Sequence, residues 1–285
     1  MRGRRKKIMS VVIKGIVLAA FLVFFLAPVY TLVIESLKPE SQWLTGTLFP
    51  TRLTLSNYGA VLHGRIYRQV TYIPPIMGYM INSLIVSLAE MVISILLGSL
   101  AAYAIQRYRT GGSFLSGWII SMMFIPPVGV IIPLLIYYTR LGLYDTLTVL
   151  IISGLIFTLP LAVWIMIAVY QGIPTSLEEA AYVDGFGRLR TIFRFIYPVA
   201  LYGFLAVGIL VFVFSWNSFT IPLVLTSSTS AQTLSVYISE FQTLYGSVYG
   251  PEAAAGVLMS IPTVIFVGFI VKYLGKGLVS GFGKR

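Results

Sequence analysis

Six long apolar runs decide what this chain can fold into. They extend from about Ile16 to Ile34, Ile76 to Ile105, Phe114 to Tyr138, Leu147 to Tyr170, Ile196 to Leu225 and Ala253 to Val271. Roughly 20 apolar residues cover the hydrocarbon of a bilayer as a helix. In all, 58% of the 285 residues are apolar and only 10% are charged, against about 25% in soluble domains. Mean hydropathy is +0.91. Lipid must be the solvent for much of that surface, so the expected fold class is an all-α membrane protein with six transmembrane helices. Pro126, Pro127 and Pro133 in the third run, Pro160 in the fourth and Pro262 in the sixth fit membrane helices, where neighbouring groups take up the freed carbonyls.

Basic residues orient the spans. Arg2, Arg4, Arg5, Lys6, Lys7 and Lys14 precede the first run, and Arg107 and Arg109 follow the second. Arg188, Arg190 and Arg194 lie between the fourth and fifth, and Lys272, Lys276, Lys284 and Arg285 follow the sixth. With six spans all of these share one side, and only Lys38, Arg52, Arg65, Arg68 and Arg140 share the other. The positive-inside rule then places both termini in the cytoplasm. The net charge of +11 is thereby explained without nucleic acid. The basic start reads as a retained anchor, because its apolar run is longer than a signal core and no small-x-small site follows closely. The expected division is an anchor helix and outer loop over 1–75, then a transmembrane core over 76–285.

Several chemistries are excluded. Cysteine is absent and His63 is the single histidine, which removes disulfides, thiolate sites and His clusters. No Gly-x-x-x-x-Gly-Lys-Ser/Thr phosphate loop occurs. Gly283, Lys284 and Arg285 lack the spacing and the following hydroxyl. Any ATP must bind another chain.

The most informative stretch is the inner loop between the fourth and fifth runs, QGIPTSLEEAAYVDGFGRLRTIFR from Gln171 to Arg194. Thr175 with Glu178, and Ser176 with Glu179, fit the capping box of a helix start, just after Pro174. A short helix should run through Ala180 and Ala181 and end at Gly185 and Gly187, which accept a left-handed backbone. A second helix should begin near Arg188 and enter the membrane. The small alanines let another protein approach closely, and Glu178, Glu179 and Asp184 offer charged anchors for a basic partner.

These residues resemble a known family. Glu179-Ala180-Ala181, then Asp184-Gly185, then Pro198, resemble the EAA loop of ATP-binding-cassette (ABC) importer permeases. The likeness continues in Asn82-Ser83-Leu84, in Ala101-Ala102-Tyr103-Ala104 and in Leu141 to Thr146. It extends to Trp216-Asn217-Ser218-Phe219 and to the carboxyl end from Gly277 to Arg285. Together they resemble the carbohydrate-uptake branch, and its MalG-like rather than MalF-like subunit. Phe186 and Tyr197 depart from the usual Ala and Leu, which touches local docking detail only. The resemblance implies a type I ABC importer permease fold whose coupling helix, at about 174–194 between helices 4 and 5, docks on an ATPase through Glu178, Glu179, Ala180, Ala181, Asp184 and Gly185. It implies a second, MalF-like permease, two copies of the ATPase and an extracytoplasmic sugar-binding protein as partners. ATP and magnesium would reside on the ATPase, with no cofactor here. A permease for polyamine, phosphate or peptide is the alternative within the fold. An ion-coupled carrier would show several intramembrane ionisable groups or paired broken helices, and an enzyme a polar cluster.

Four residues are candidates for the translocation path. Glu90, inside the second run, would be costly in hydrocarbon unless it faced protein. It suits either a cargo contact or, more plainly, a hydrogen bond to a helix of the partner permease. Asn82 and Asn217 need partners, supplied equally well by a watery path or by interhelical bonds. Trp216 suits sugar stacking or, more simply, packing.

Overall fold

The computed structural model describes the backbone at residues 2–43, 45–67, 71–243 and 246–281, and side chains over 9–43, 45–66, 72–242 and 248–269. Arg68 and the final residues of the carboxyl-end likeness, Lys284 and Arg285 included, lie outside the described residues. The chain opens with α1 (Arg2–Leu37), α2 (Ser56–His63) and an antiparallel hairpin of β1 (Arg65–Tyr67) and β2 (Thr71–Ile73). Then come α3 (Met77–Tyr108), α4 (Gly112–Ser121), α5 (Pro127–Arg140) and α6 (Leu147–Gln171). The inner loop forms α7 (Ser176–Val183), α8 (Arg188–Thr191), a π-helical turn (Ile192–Ile196) and α9 (Tyr197–Val199). Next are α10 (Leu201–Trp216), α11 (Thr220–Leu225), α12 (Leu234–Ser239), a two-residue-per-strand hairpin of β3 (Gln242–Thr243) and β4 (Gly246–Ser247), and α13 (Tyr249–Gly281).

Among the described residues, four helices are long and apolar enough to cross a bilayer: Met9–Leu37 within α1, α3, α6, and Tyr249–Phe269 within α13. The third and fifth apolar runs, expected as unbroken helices, are instead bent pairs. Gly112–Phe124 meets α5 at 89°, and Arg188–Val199 meets α10 at 76°. Proline causes both breaks. Ile125 and Pro126 each precede a proline, which disfavours helical backbone there, and both are extended (ψ 118° and 131°). Pro198 has no N–H to continue the ladder, and the turn before it widens into a π-helix. The fifth run ends early as well: Asn217 follows the last residue of α10, and α11 restarts at Thr220.

The direction of each pair follows from its contacts. Along α3 and α6 the partners rise together in steps of four. The Glu90 carboxylate lies against Gly154, Ser94 Oγ donates to Thr158 Oγ1 at 3.0 Å, and a Cβ on Gly98 would come within 2.8 Å of the Ala162 methyl. The helices are therefore parallel, so the chain between them crosses the bundle once and the bent α4–α5 pair counts as one span. On α10 the order reverses: Gly203 sits on Val169, Gly208 on Ile95 and Met91, and Ser215 reaches the level of Glu90. Counting each bent pair once gives six spans.

Among the described residues, two apolar cores fill this bundle. One joins Ala102, Tyr103, Ala162, Met166, Tyr170, Ile196 and Val207 near the α7 end. The other joins Val86, Ile131, Val149, Leu150, Phe157 and Leu225 near the opposite end. The α7 end also carries Arg107, Arg188, Arg190 and Arg194.

Contacts group Met1–Ile76 with Ile238–Ser260, and Met77–Tyr237 with Ile261–Arg285. Within the first group the loop from Glu35 to Pro75, which showed no obvious fold in sequence, is ordered by buried polar side chains. Asn57 Nδ2 donates to the carbonyls of Ser36 (2.9 Å) and Lys38 (2.8 Å), and the Trp43 indole donates to Lys38 O at 3.1 Å. Lys38 is itself buried and paired with Glu35.

Lipid offers no hydrophobic drive between helices, so close packing of small residues must hold α3 to α6. Overpacking such a seam costs about 1–3 kcal/mol. Gly98→Val should therefore lower the thermal midpoint of the detergent-purified protein by several degrees. Gly117→Val, at a position where an added Cβ meets nothing within 4 Å, should change it little.

Candidate functional site

The inner loop is a helical knob with two distinct faces. Ser176, Glu179, Ala180 and Val183 follow one another at helical spacing and are exposed, Val183 by 88%. Glu178 and Ala181 face inward and are buried. Of the six docking residues picked from sequence, the structure sets Glu179, Ala180, Asp184 and Gly185 outward and turns Glu178 and Ala181 in. Ser176, expected only as a capping residue, and Val183 join that outward face, and the helical period alone would have added both.

The expected capping box does not form. Thr175 has helical backbone and makes no side-chain cap. Glu178 is turned toward the bundle instead. Tyr103 OH donates to Glu178 Oε2 at 2.7 Å, and Arg107 Nε lies 2.6 Å from Glu178 Oε1. Arg107 Nη2 also donates to Ile173 O at 2.7 Å. Both charged side chains are less than a tenth exposed. Removing one member of a buried ion pair costs about 3–5 kcal/mol, because the other charge is stranded. Sequence reading had used Arg107 only to orient the second span.

The helix stops as expected at Gly185, which has a φ of 82°. Phe186 N donates to Ala181 O and Gly185 N to Tyr182 O, both at 3.0 Å. This is the paired closure that a left-handed glycine permits. Gly187 has ordinary negative φ and serves as the N-cap of α8. Beyond it, Arg188 stacks over Tyr108 at 5.3 Å, and Tyr197 OH hydrogen-bonds with Ser99 Oγ at 2.9 Å. The knob is thus tied to α3 at three levels.

A polar layer separates the two apolar cores. Glu90 is only 3% exposed and is enclosed by its own chain, with Gly154 leaving room for the carboxylate. The expected bond to a helix of a partner permease is therefore replaced by burial within this subunit. Ser83, Ser87, Glu90, Ser215 and Ser218 line a cavity of about 10 Å³, the size of a single water. Trp216 is buried and stacked on Phe212 with ring centroids 5.6 Å apart. Asn217 is exposed and donates to Val213 O at 2.8 Å. Asn82 lies at the far end, where Nδ2 donates to Thr229 O (3.1 Å) and Gln232 O (2.9 Å). The structure brings Glu90, Trp216 and Asn217 to one level and sets Asn82 apart.

That far end is fastened by Asp145, which holds a left-handed φ of 62°. Its Oδ1 accepts the N–H groups of Ser227 (2.8 Å) and Ser228 (3.0 Å). Partial burial pushes the carboxyl up, but the hydrogen bonds from Ser228 and Ser227 outweigh it and hold the group below the usual carboxylate range.

Residues 94–280 match the family described as binding-protein-dependent transport system inner membrane component. The chain is 32% identical to the trehalose transport system permease protein SugB of Mycobacterium tuberculosis, over 90% of this chain and 92% of that one. It is 31% identical to the glucose import system permease protein GlcU of Saccharolobus solfataricus, over 94% and 93%. It is 29% identical to the trehalose/maltose transport system permease protein MalG of Thermococcus litoralis, over 97% and 96%. A crystal structure of a bacterial ABC transporter that imports alginate contains a chain of the same fold, with a TM-score of 0.75 at 21% identity, covering 94% of this chain and 98% of that one.

Asp145 generates a pH prediction. A carboxyl whose folded pKa is depressed stabilises the fold above the ordinary aspartate value of about 4 and loses that contribution as pH falls through the lower folded value. The thermal midpoint of wild type should exceed that of Asp145→Asn at neutral pH. The gap should close as pH drops below about 4, as read by parallel melts in detergent.

Proposed function

This chain belongs to the family of inner membrane components of binding-protein-dependent transport systems, and we propose that it serves as the MalG-like subunit of a sugar importer. As a multi-pass membrane permease it is not an enzyme, and ATP hydrolysis belongs to a separate subunit. The trehalose, maltose and glucose systems of its relatives support a mono-, di- or oligosaccharide as cargo. The partners of this reading are a MalF-like permease, two copies of an ABC ATPase that carry ATP and magnesium, and an extracytoplasmic sugar-binding protein. Residues 1–75 supply the anchor and outer loop, and 76–285 the transport core. Both termini are cytoplasmic, on the side of the basic loops.

The observation that carries the reading is the outward face of α7 at the basic end of the bundle. Glu179, Ala180, Asp184 and Gly185 form the docking surface, with Val183 as an apolar tip, while Glu178 and Ala181 buttress it from within. Glu90, Trp216, Asn217 and Asn82 border the path. Binding protein outside and nucleotide inside select between inward- and outward-open states, which is alternating access by population shift.

Glu179→Lys reverses the charge offered to the ATPase, and a like-charge contact at an interface costs several kcal/mol. Gly185→Val opposes the positive φ at the helix stop. Both variants should reach normal membrane abundance with ATPase co-purification reduced at least tenfold. Wild-type ATPase recovery for both would sink the docking assignment. For topology, a cytoplasm-only reporter should be active when fused to the carboxyl end and inactive after Ser228. The reverse pattern would overturn the orientation.

A further inference from the structure

We propose that Arg107, Tyr103 and Glu178 form a latch that passes movement of α7 to α3, so that the signal from the ATPase enters the bundle through the second span. This inference rests on the docking reading above and assigns the route beyond it.

Three observations carry it. First, the Glu178 carboxylate is engaged at both oxygens by α3: Oε1 by Arg107 Nε at 2.6 Å and Oε2 by Tyr103 OH at 2.7 Å. The Tyr103 hydrogen bond fixes the direction of the carboxylate, the Arg107 charge holds it as an ion pair, and burial strengthens both contacts. Second, the same guanidinium holds Ile173 O at 2.7 Å, and Tyr103 meets the Tyr170 ring edge-on at 5.6 Å. The end of α6 is therefore carried with α3. Third, the covalent continuation of α7 is badly suited to transmit a push. It passes through the Gly185 turn, a π-helical turn and the 76° bend before reaching α10. By contrast, α3 runs without a break from Arg107 to Glu90, about 26 Å at 1.5 Å per residue. A displacement of α7 thus arrives directly at the polar layer.

Arg107, Tyr103 and Glu178 are positioning residues, and Arg107 and Tyr103 lie on α3, away from the outward face of α7. The test uses the assembled transporter with its ATPase subunits. The chain contains no cysteine, so Ser87→Cys, beside Glu90 on α3, gives this subunit a single thiol. Its maleimide labelling rate is measured with and without ATP, which needs no knowledge of the cargo. In the otherwise wild-type complex the rate should change at least threefold on ATP addition. With Arg107→Gln added, that change should shrink to less than half, with ATPase co-purification and hydrolysis near wild type. Exchanging the charges, Arg107→Glu with Glu178→Arg, should restore part of the response. Tyr103→Phe deletes one hydrogen bond and no charge. It should give an intermediate response, and it serves as the deciding variant where the charged ones fail to accumulate. An unchanged ATP response in Tyr103→Phe, and in Arg107→Gln where it accumulates, overturns the latch. So does loss of ATPase binding in step with the loss of response, since the pair would then only shape the dock. Failure of the docking reading is distinguishable: it appears as intact ATPase binding in Glu179→Lys, whatever the labelling shows.

Discussion

The close approach of α3 and α6 is the contact on which the rest of this subunit depends. In hydrocarbon two helices gain little from burying apolar side chains against each other, because lipid tails offer the same contacts. What they gain comes from backbone proximity and from polar groups that meet across the seam. Gly98 against Ala162, Ser94 bonded to Thr158, and Glu90 against Gly154 supply both. That seam sets the two helices parallel, fixes α10 as the returning strand of the bundle, and places Tyr103 and Arg107 beside the loop that follows α6.

From that arrangement the knob inherits its geometry. A helix of eight residues has little stability of its own, because the cost of its first turn is spread over few bonds. Here α7 is held from inside by Leu177, Ala181 and the Glu178 carboxylate, and stopped by Gly185. Its outward face is therefore free of any duty to the fold. Glu179, Ala180 and Val183 can be matched to another protein without cost to this one.

Much of this was legible in the sequence, for reasons that differ by residue. The spans were visible because hydropathy is a property of composition, and the helix stop at Gly185 because only glycine takes that backbone cheaply. The bends were missed although Pro126, Pro127 and Pro198 were in view. Membrane helices absorb many prolines, and hydropathy does not register where one breaks the ladder. Glu178 and Glu179 looked alike as neighbours in a polar loop. Only the helical period, with Tyr103 and Arg107 on one side of it, turns one carboxylate in and leaves the other out. The four-residue spacing of Ser94, Gly98 and Ala102, and of Gly154, Thr158 and Ala162, was present in plain sequence, yet no single position in it marks the partner helix. The outer loop was opaque because Asn57, Trp43 and Lys38 hold it by directed hydrogen bonds, which leave no periodic trace.

The apolar cores and the polar layer between them differ in how firmly they are packed, and the difference suits a subunit that must change state. At the α7 end the contacts are aromatic and charged, with Tyr103 edge-on to Tyr170 and the Arg107–Glu178 ion pair beside them. In the middle, Ser87 Oγ, Glu90 Oε2, Ser153 Oγ and Ser215 Oγ find no partner among the described protein groups. A buried polar atom left without a partner costs about 1–3 kcal/mol. The cavity that Ser87, Glu90 and Ser215 border has space for one water, which can meet about three such groups. The closed packing of this layer is therefore held less firmly than the apolar cores on either side of it. An opening that admits more water, or a hydroxyl-rich cargo, relieves the same oxygens. A stiff lever at one end and a marginal seal in the middle is the combination in which a modest push on α7 can change which side of the membrane the seal faces.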